Sequence, residues 1–185
     1  LEEVIVTAEK RSESVQSVPI AITAFSAEKL ASSGLTTSDE LSRLTPSLSW
    51  NPAGGAGSSV GLRGIVDINF TTGQVGSVGI VVDEVGLNSP VVNTFSMFDL
   101  ERIEVLRGPQ VTLYGRSTTG GAINFITRRP DIGGPANGSL NVTVGNYDER
   151  QVEVAFGAPL GERAAIRVAG MTDSRDGIFD NLALG

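Results

Sequence analysis

Histidine and cysteine are both absent from this sequence, which removes most of the side chains that do covalent and metal chemistry. Without them there is no Ser–His or Cys–His nucleophile, no disulfide framework and no Cys/His zinc site. A few carboxylates and arginines remain. Asp83 and Glu84 are adjacent, and Glu101 and Glu104 lie in one strand-like segment. Residues i and i+3 on a strand point to opposite faces, so Glu101 and Glu104 do not form a general acid–base pair. The glycine-rich run 108–121 invites a phosphate-loop reading, yet it lacks the Gly-Lys-Ser/Thr ending and its glycines are too widely spaced. Its Gly-Pro and Gly-Gly steps are turn chemistry instead. Arg63 and Arg107 each precede a glycine at the end of a strand-like run. A half-buried arginine there needs a carboxylate, because burying it unpaired is very costly; otherwise it snorkels to solvent. Nothing beyond residue type supports catalysis, so no enzyme, cofactor or metal site is expected.

The elements that must position these residues belong to a chain of 185 residues, long enough for one domain and part of a second. The net charge of −7 and the lack of any basic cluster longer than Arg128-Arg129 argue against a nucleic-acid partner. Glycine is frequent, 23 residues against 2 Tyr and 1 Trp, and implies many tight turns and close backbone approaches. No apolar run reaches the ~18 residues of a membrane helix, so any membrane role must come through strands. The chain opens on Leu1 rather than methionine, which suggests a processed product.

Residues 2–7 (EEVIVT) read as a short strand and 8–17 as a polar linker. Residues 18–25 read as the first packed strand. Ser26 caps a helix stopped by Gly34, and the signal at residues 36–40 starts a second short helix ending before Pro46. Residues 51–59 read as a loop, 60–64 as a strand, 65–77 as a long loop, 79–85 as one strand and 86–98 as another loop. Residues 100–106 alternate charged and aliphatic side chains, the pattern of a half-buried strand. Residues 121–127 form the last strand before a linker. Beyond it, residues 139–144, 151–156 and 163–169 alternate strictly, with turns at 146–148 and 159–161. Such segments suit a soluble antiparallel meander or transmembrane β-strands; pattern alone favours the meander. Three strands cannot close a barrel, so the membrane reading makes this the beginning of a longer structure.

Residues 100–130 (LERIEVLRGPQVTLYGRSTTGGAINFITRRP) resemble the most diagnostic segment of TonB-dependent receptor plugs. The matching elements are residues 101–105, then Arg107-Gly108-Pro109, Leu113-Tyr114-Gly115, Gly120-Gly121, Ile123-Asn124 and Thr127. Upstream, Val18-Pro19-Ile20, Leu62-Arg63-Gly64 and Val81-Val82-Asp83 follow the family's order. The resemblance implies a TonB box at Glu3, Val4, Ile5, Val6 and Thr7, where an exposed strand adds to the TonB C-terminal domain by backbone hydrogen bonds. With no domain ahead of the box, transcriptional signalling is not expected. The resemblance also implies that Arg63 and Arg107 lock plug to barrel through glutamates beyond Gly185. Its outward, ligand-facing loops would carry Asn69, Phe70, Thr72, Gln74, Asn93, Phe95 and Phe98.

The expected fold is therefore an α+β plug domain, a small mixed sheet with short helices, followed by the start of an antiparallel transmembrane β-barrel. The divisions are 1–17 for box and linker, 18–130 for the plug and 137–185 for the first barrel strands. The expected function is TonB-dependent uptake of a scarce ligand, an iron–siderophore complex or similar, across a Gram-negative outer membrane. The plug would face the periplasm and the barrel would contact outer-membrane lipid. The alternative is a stand-alone, soluble, plug-like binding module in the periplasm.

Overall fold

The computed structural model describes residues 5–6, 13–14, 20–52, 57–67, 76–87, 89–115 and 118–177. The chain forms two compact units, Leu1–Thr127 and Arg128–Gly185.

The first unit is organised by a five-stranded mixed sheet. Its strands are β3 (Ala21–Ser26), β7 (Val78–Val82), β8 (Val85–Leu87), β9 (Leu100–Arg107) and β10 (Gly121–Thr127), in the order β3-β9-β10-β7-β8. β9 lies antiparallel to both β3 and β10, and β10 is parallel to β7. Strand alternation sends Ile103, Val105, Ile123, Phe125, Phe25 and Ile80 to one face, where they meet Leu30, Leu41, Leu48, Trp50, Val60 and Leu62 in the main core. On the opposite face Leu106 and Ala122 pack with Ile22, Ala24 and Tyr114. β9 is thus buried on both sides: Ile103, Glu104, Val105 and Leu106 are all fully buried. The half-buried pattern expected for this strand is corrected because the alternating acid, Glu104, lies inside a second layer.

Helix α1 (Ala27–Ser33) begins where Ser26 Oγ accepts from the Lys29 N–H and ends on left-handed Gly34. The second helical segment, Ser38–Arg43, is 3-10. Its cap is Glu40: one carboxylate oxygen accepts the N–H of Thr36 (2.8 Å) and of Thr37 (3.4 Å), and the other accepts from Arg43 (3.1 Å). Residues 48–52, partly assigned to a loop from sequence, form β4 (Leu48–Pro52), antiparallel to β5 (Ser58–Leu62), which turns into β6 (Ile65–Val66). The expected single strand at 79–85 is instead a hairpin, reversing at Asp83 and Glu84 with both φ positive. Asp83 then grips the end of β10: its carboxylate accepts from the Thr127 N–H (2.9 Å) and hydroxyl (2.7 Å). Within the expected linker, Glu13–Ser14 (β2) pairs antiparallel with Ile5–Val6 (β1).

The second unit is a meander of β11 (Asn137–Val144), β12 (Arg150–Pro159) and β13 (Ala165–Ser174). In its register Leu140 faces Val154, Val142 faces Val152 and Phe156 faces Val168.

The Glu40 cap predicts a pH signature. Burial raises the Glu40 pKa, but the Thr36 and Thr37 N–H donors, the Thr36 hydroxyl and Arg43 outweigh it and hold the carboxyl below its ordinary 4.5. A lowered folded-state pKa gives stability that is present above the unfolded value and is lost as pH falls through the folded one. Glu40→Gln should cost about 1 kcal/mol at neutral pH, the scale of a helix cap. In thermal melts the gap between wild type and variant should hold from neutral pH towards 4.5 and close below it. A gap independent of pH would rule out the ionised cap.

Candidate functional site

The two arginines singled out by sequence come to one end of the sheet. Arg63 sits at the tip of the β5–β6 hairpin with φ 57°, followed by Gly64 at 79°. Positive φ at both central residues is the type I′ geometry that matches strand twist. A non-glycine side chain there costs of order 1 kcal/mol. The Arg63 N–H donates to Ser47 O at 2.9 Å, tying the tip to the start of β4. A guanidinium nitrogen of Arg63 reaches to 3.7 Å from where a side chain on Gly108 would begin. Arg107, the residue before Gly108, ends β9.

Tight backbone packing builds this end. Gly108 takes φ 108° and donates its N–H to Gly120 O at 3.2 Å. At Gly121, φ 149°, a Cβ would stand 2.3 Å from Leu106 O and 2.6 Å from a Leu62 methyl, so only glycine fits. Gln110 N–H donates to Thr118 O at 2.8 Å across the intervening loop, which holds the short helix α2 (Val111–Tyr114).

Arg107 is half-buried, and its Nη2 donates to Thr23 Oγ1 of β3. Its Nε is buried with no hydrogen-bond partner among the described residues. A buried donor left unpaired costs about 1–3 kcal/mol, more when charged. Among the described residues no hydrogen bond or ion pair engages the Arg63 guanidinium, and Arg63 itself is exposed. This end of the sheet therefore offers two guanidinium groups, whose planar donor forks fit carboxylates in bidentate fashion.

The opposite sheet face carries a buried polar cluster. Arg102 Nε donates to fully buried Glu104 at 2.8 Å, and Arg102 also bonds Glu101. Asn124 lies opposite Glu104 in the register, with its Oδ1 buried and unpartnered among the described residues. Tyr114 covers this face. Desolvation, then the nearby charges of Glu104 and Glu84, push its phenol up to about 12. Among the described residues, no group of three or more acidic side chains is placed to hold a metal ion.

The other expected site residues are placed as follows. Glu3, Val4, Thr7, Asn69, Phe70, Thr72 and Gln74 lie outside the described residues. Ile5 and Val6 form β1. Phe95, expected to face outward, is turned inward: its ring packs edge-on to Phe125 at 4.9 Å. Ser38 staples that segment: its N–H donates to Phe95 O, its Oγ accepts from the Phe95 N–H, and its hydroxyl donates to Asn93 O at 2.9 Å. Asn93 lines a small cavity with Ser58, Ser59 and Pro90. Beside exposed Ser89, Thr94 and Ser96, the exposed hydrophobic side chains of this loop are Val91 and Val92, 64% and 47% exposed. Sequence reasoning passed over them because valine is an ordinary core residue. Thr23 was missed too, since a threonine in a strand carries no signal of its bonding partner.

The TonB-dependent Receptor Plug Domain model matches residues 14–122. The chain belongs to this family. Among relatives, this plug is 37% identical over 130 residues to the pesticin receptor of Yersinia pestis, covering 69% of the chain and 19% of that protein. It is 29% identical over 168 residues to the ferrioxamine B receptor of Salmonella typhimurium strain LT2, covering 89% of the chain and 23% of that protein. The chain thus spans about a fifth of the length of these relatives. The crystal structure of the ferric yersiniabactin uptake receptor from Yersinia pestis superposes with TM-score 0.74 at 29% identity, covering 82% of this chain and 24% of that one. The pyoverdine receptor of Pseudomonas aeruginosa, at 19% identity and TM-score 0.78 over 95% of this chain and 25% of that one, shares the fold. The mixed sheet with few helices is the plug architecture.

The environment of Tyr114 gives a direct check on the plug's second face. With Tyr147→Phe leaving one tyrosine, absorbance near 295 nm should titrate with a midpoint near 12 rather than the ordinary ~10. A raised phenol pKa means that the stability it reports is intact below about 10 and is lost as pH climbs towards the folded value. A midpoint near 10 would show that Tyr114 is solvated and does not cover Glu104.

Proposed function

We propose that this chain is the gating plug and first barrel strands of an outer-membrane receptor that imports an iron–siderophore complex by TonB-driven transport. The observation that carries the reading is the two-arginine end of the plug sheet, set within a chain of this family. Arg63 and Arg107 present charge-assisted donors with no carboxylate partner among the described residues, as expected of groups that dock on an acidic barrel wall. The names of the relatives, ferrioxamine B receptor and ferric yersiniabactin uptake receptor, support a siderophore as the ligand class.

The second unit supports the barrel assignment. One face of the meander carries Leu140, Val142, Val144, Val154, Phe156, Ile166 and Val168, 45% to 76% exposed. The other carries a ladder in which Asn141 and Gln151 donate to Glu153 and Arg167 donates to Asn137. An apolar face towards lipid and a polar face towards a lumen is the arrangement of a membrane barrel. A soluble meander would hide such an apolar face.

In this reading residues 3–7 add to the edge of the TonB C-terminal domain. Among the described residues the β1–β2 pairing joins Ile5 to Ser14 and Val6 to Glu13. A two-stranded ribbon is marginally stable in water, so exchange for a longer strand on a partner's sheet costs little. Ligand would arrive from the opposite side, where the exposed Val91 and Val92 offer an apolar surface.

The test uses the protein expressed from its full open reading frame in Gram-negative cells. Uptake of iron-labelled siderophore should require TonB, and deletion of residues 2–8 should abolish uptake and TonB pull-down while leaving ligand binding at the cell surface. Equal pull-down by wild type and deletion would refute the box. Recovery of the whole protein in the soluble periplasmic fraction would support a stand-alone binding module instead.

A further inference from the structure

We propose that Thr23 is a positioning residue that couples strand β3 to the plug–barrel lock: its hydroxyl holds the Arg107 guanidinium in its docking orientation, so displacing β3 loosens the lock. The inference rests on the proposed role of Arg107. Three observations carry it. Arg107 Nη2 donates to Thr23 Oγ1, while its buried Nε has no partner among the described residues. Among the described residues, the bond that orients this guanidinium therefore comes from β3. Ala21, the first residue of β3, stands opposite Arg107 in the register, so Thr23 is its diagonal neighbour on the same sheet face. Threonine is stiff at χ1, which limits the directions in which its hydroxyl can point. Finally, β3 is an edge strand, bonded within the sheet to β9 alone, and it is the first sheet strand to follow the proposed TonB-binding segment.

These placements make one geometric link between the two ends of the proposed cycle. With β3 in place, the fork of Arg107 is held for a carboxylate facing it. When β3 separates from β9, starting at the Ala21–Arg107 pair, the acceptor leaves with it. The guanidinium then regains its rotamer freedom, and its carboxylate contact must bear the ordering cost alone. A pull on the N-terminal segment would thus weaken the lock without touching the barrel.

The experiment uses the full-length receptor in the outer membrane of cells exposed to a large antibiotic that an intact plugged barrel excludes. Surface expression and heat-modifiable barrel migration confirm folding of each variant. Arg107→Gln should lower the inhibitory concentration several-fold. Thr23→Val should shift it the same way, Thr23→Ser should restore wild-type behaviour, and the Thr23→Val/Arg107→Gln double variant should be no more sensitive than Arg107→Gln alone. Wild-type exclusion by Thr23→Val beside a leaky Arg107→Gln overturns the role of Thr23 and leaves the lock standing. Additive effects, or a Thr23→Ser variant as leaky as Thr23→Val, also overturn it by making the defect one of packing. Wild-type exclusion by Arg107→Gln overturns the lock reading itself, and this proposal with it.

Discussion

The central strand β9 is the constraint on which the plug depends. It is hydrogen-bonded along both edges and buried on both faces, and it runs to the arginine end of the sheet. A strand so placed would normally read as a continuous apolar run. This one instead buries Glu104 completely, and Arg102 on the same face bonds the charge at 2.8 Å. Replacing such a pair by apolar groups can be neutral or stabilising, whereas removing one partner strands a buried charge. The pair therefore acts through register. A slip of one residue against β10 would move Glu104 and Arg102 into the Ile103–Val105 core, at prohibitive cost.

How far the sequence reveals this depends on whether the deciding interaction is local. Ser26 and Gly34 mark helix α1 because a cap is satisfied within its own turn. The meander strands are legible because alternation and its exposed face coincide. The same rule misreads β9, since acid–aliphatic alternation on a double-buried strand looks amphipathic until the second layer is known. It also misses the hairpin at Asp83 and Glu84, where neither residue is glycine. Their positive φ values are sustained by tertiary bonds, Asp83 N–H to Phe125 O and the Asp83 carboxylate to Thr127. β4 was hidden behind Pro52 and a glycine-rich stretch, although Leu48 and Trp50 alternate into the core.

The candidate site divides along the same line. Arg63 and Arg107 stand out because each arginine–glycine step ends a strand. Their meeting at one end of the sheet is set by the β5–β6 turn and by the backbone contact at Gly121, neither of which sequence spacing contains. Phe95 shows the converse. In a loop rich in polar residues an aromatic side chain reads as a ligand contact, but Ser38, far away in sequence, reels that loop in and sets the ring against Phe125. The loop's exposed hydrophobic positions are Val91 and Val92, which lie on the 3-10 turn at Pro90–Val92, away from the Ser38 staple.

Chain order and sheet order together give the plug an unequal build. The sheet strand nearest the N-terminus, β3, is an edge strand, while β9, β10, β7 and β8 remain bonded to one another without it. The far end of that block is secured separately, where Asp83 holds Thr127 at the boundary between the two units. Local opening is easiest at sheet edges, where backbone bonds are fewest and most exposed; of the two edges here β8 has the shorter pairing, and β3 is the one nearer the proposed TonB-binding segment. Removing it uncovers Ile22 and Ala24 on one face and Phe25 on the other. The Ile103–Ile123–Phe125 core and the Arg102–Glu104 pair stay within the remaining strands. Were β3 to leave the sheet, the side chain most directly altered would be Arg107, whose guanidinium donates to Thr23.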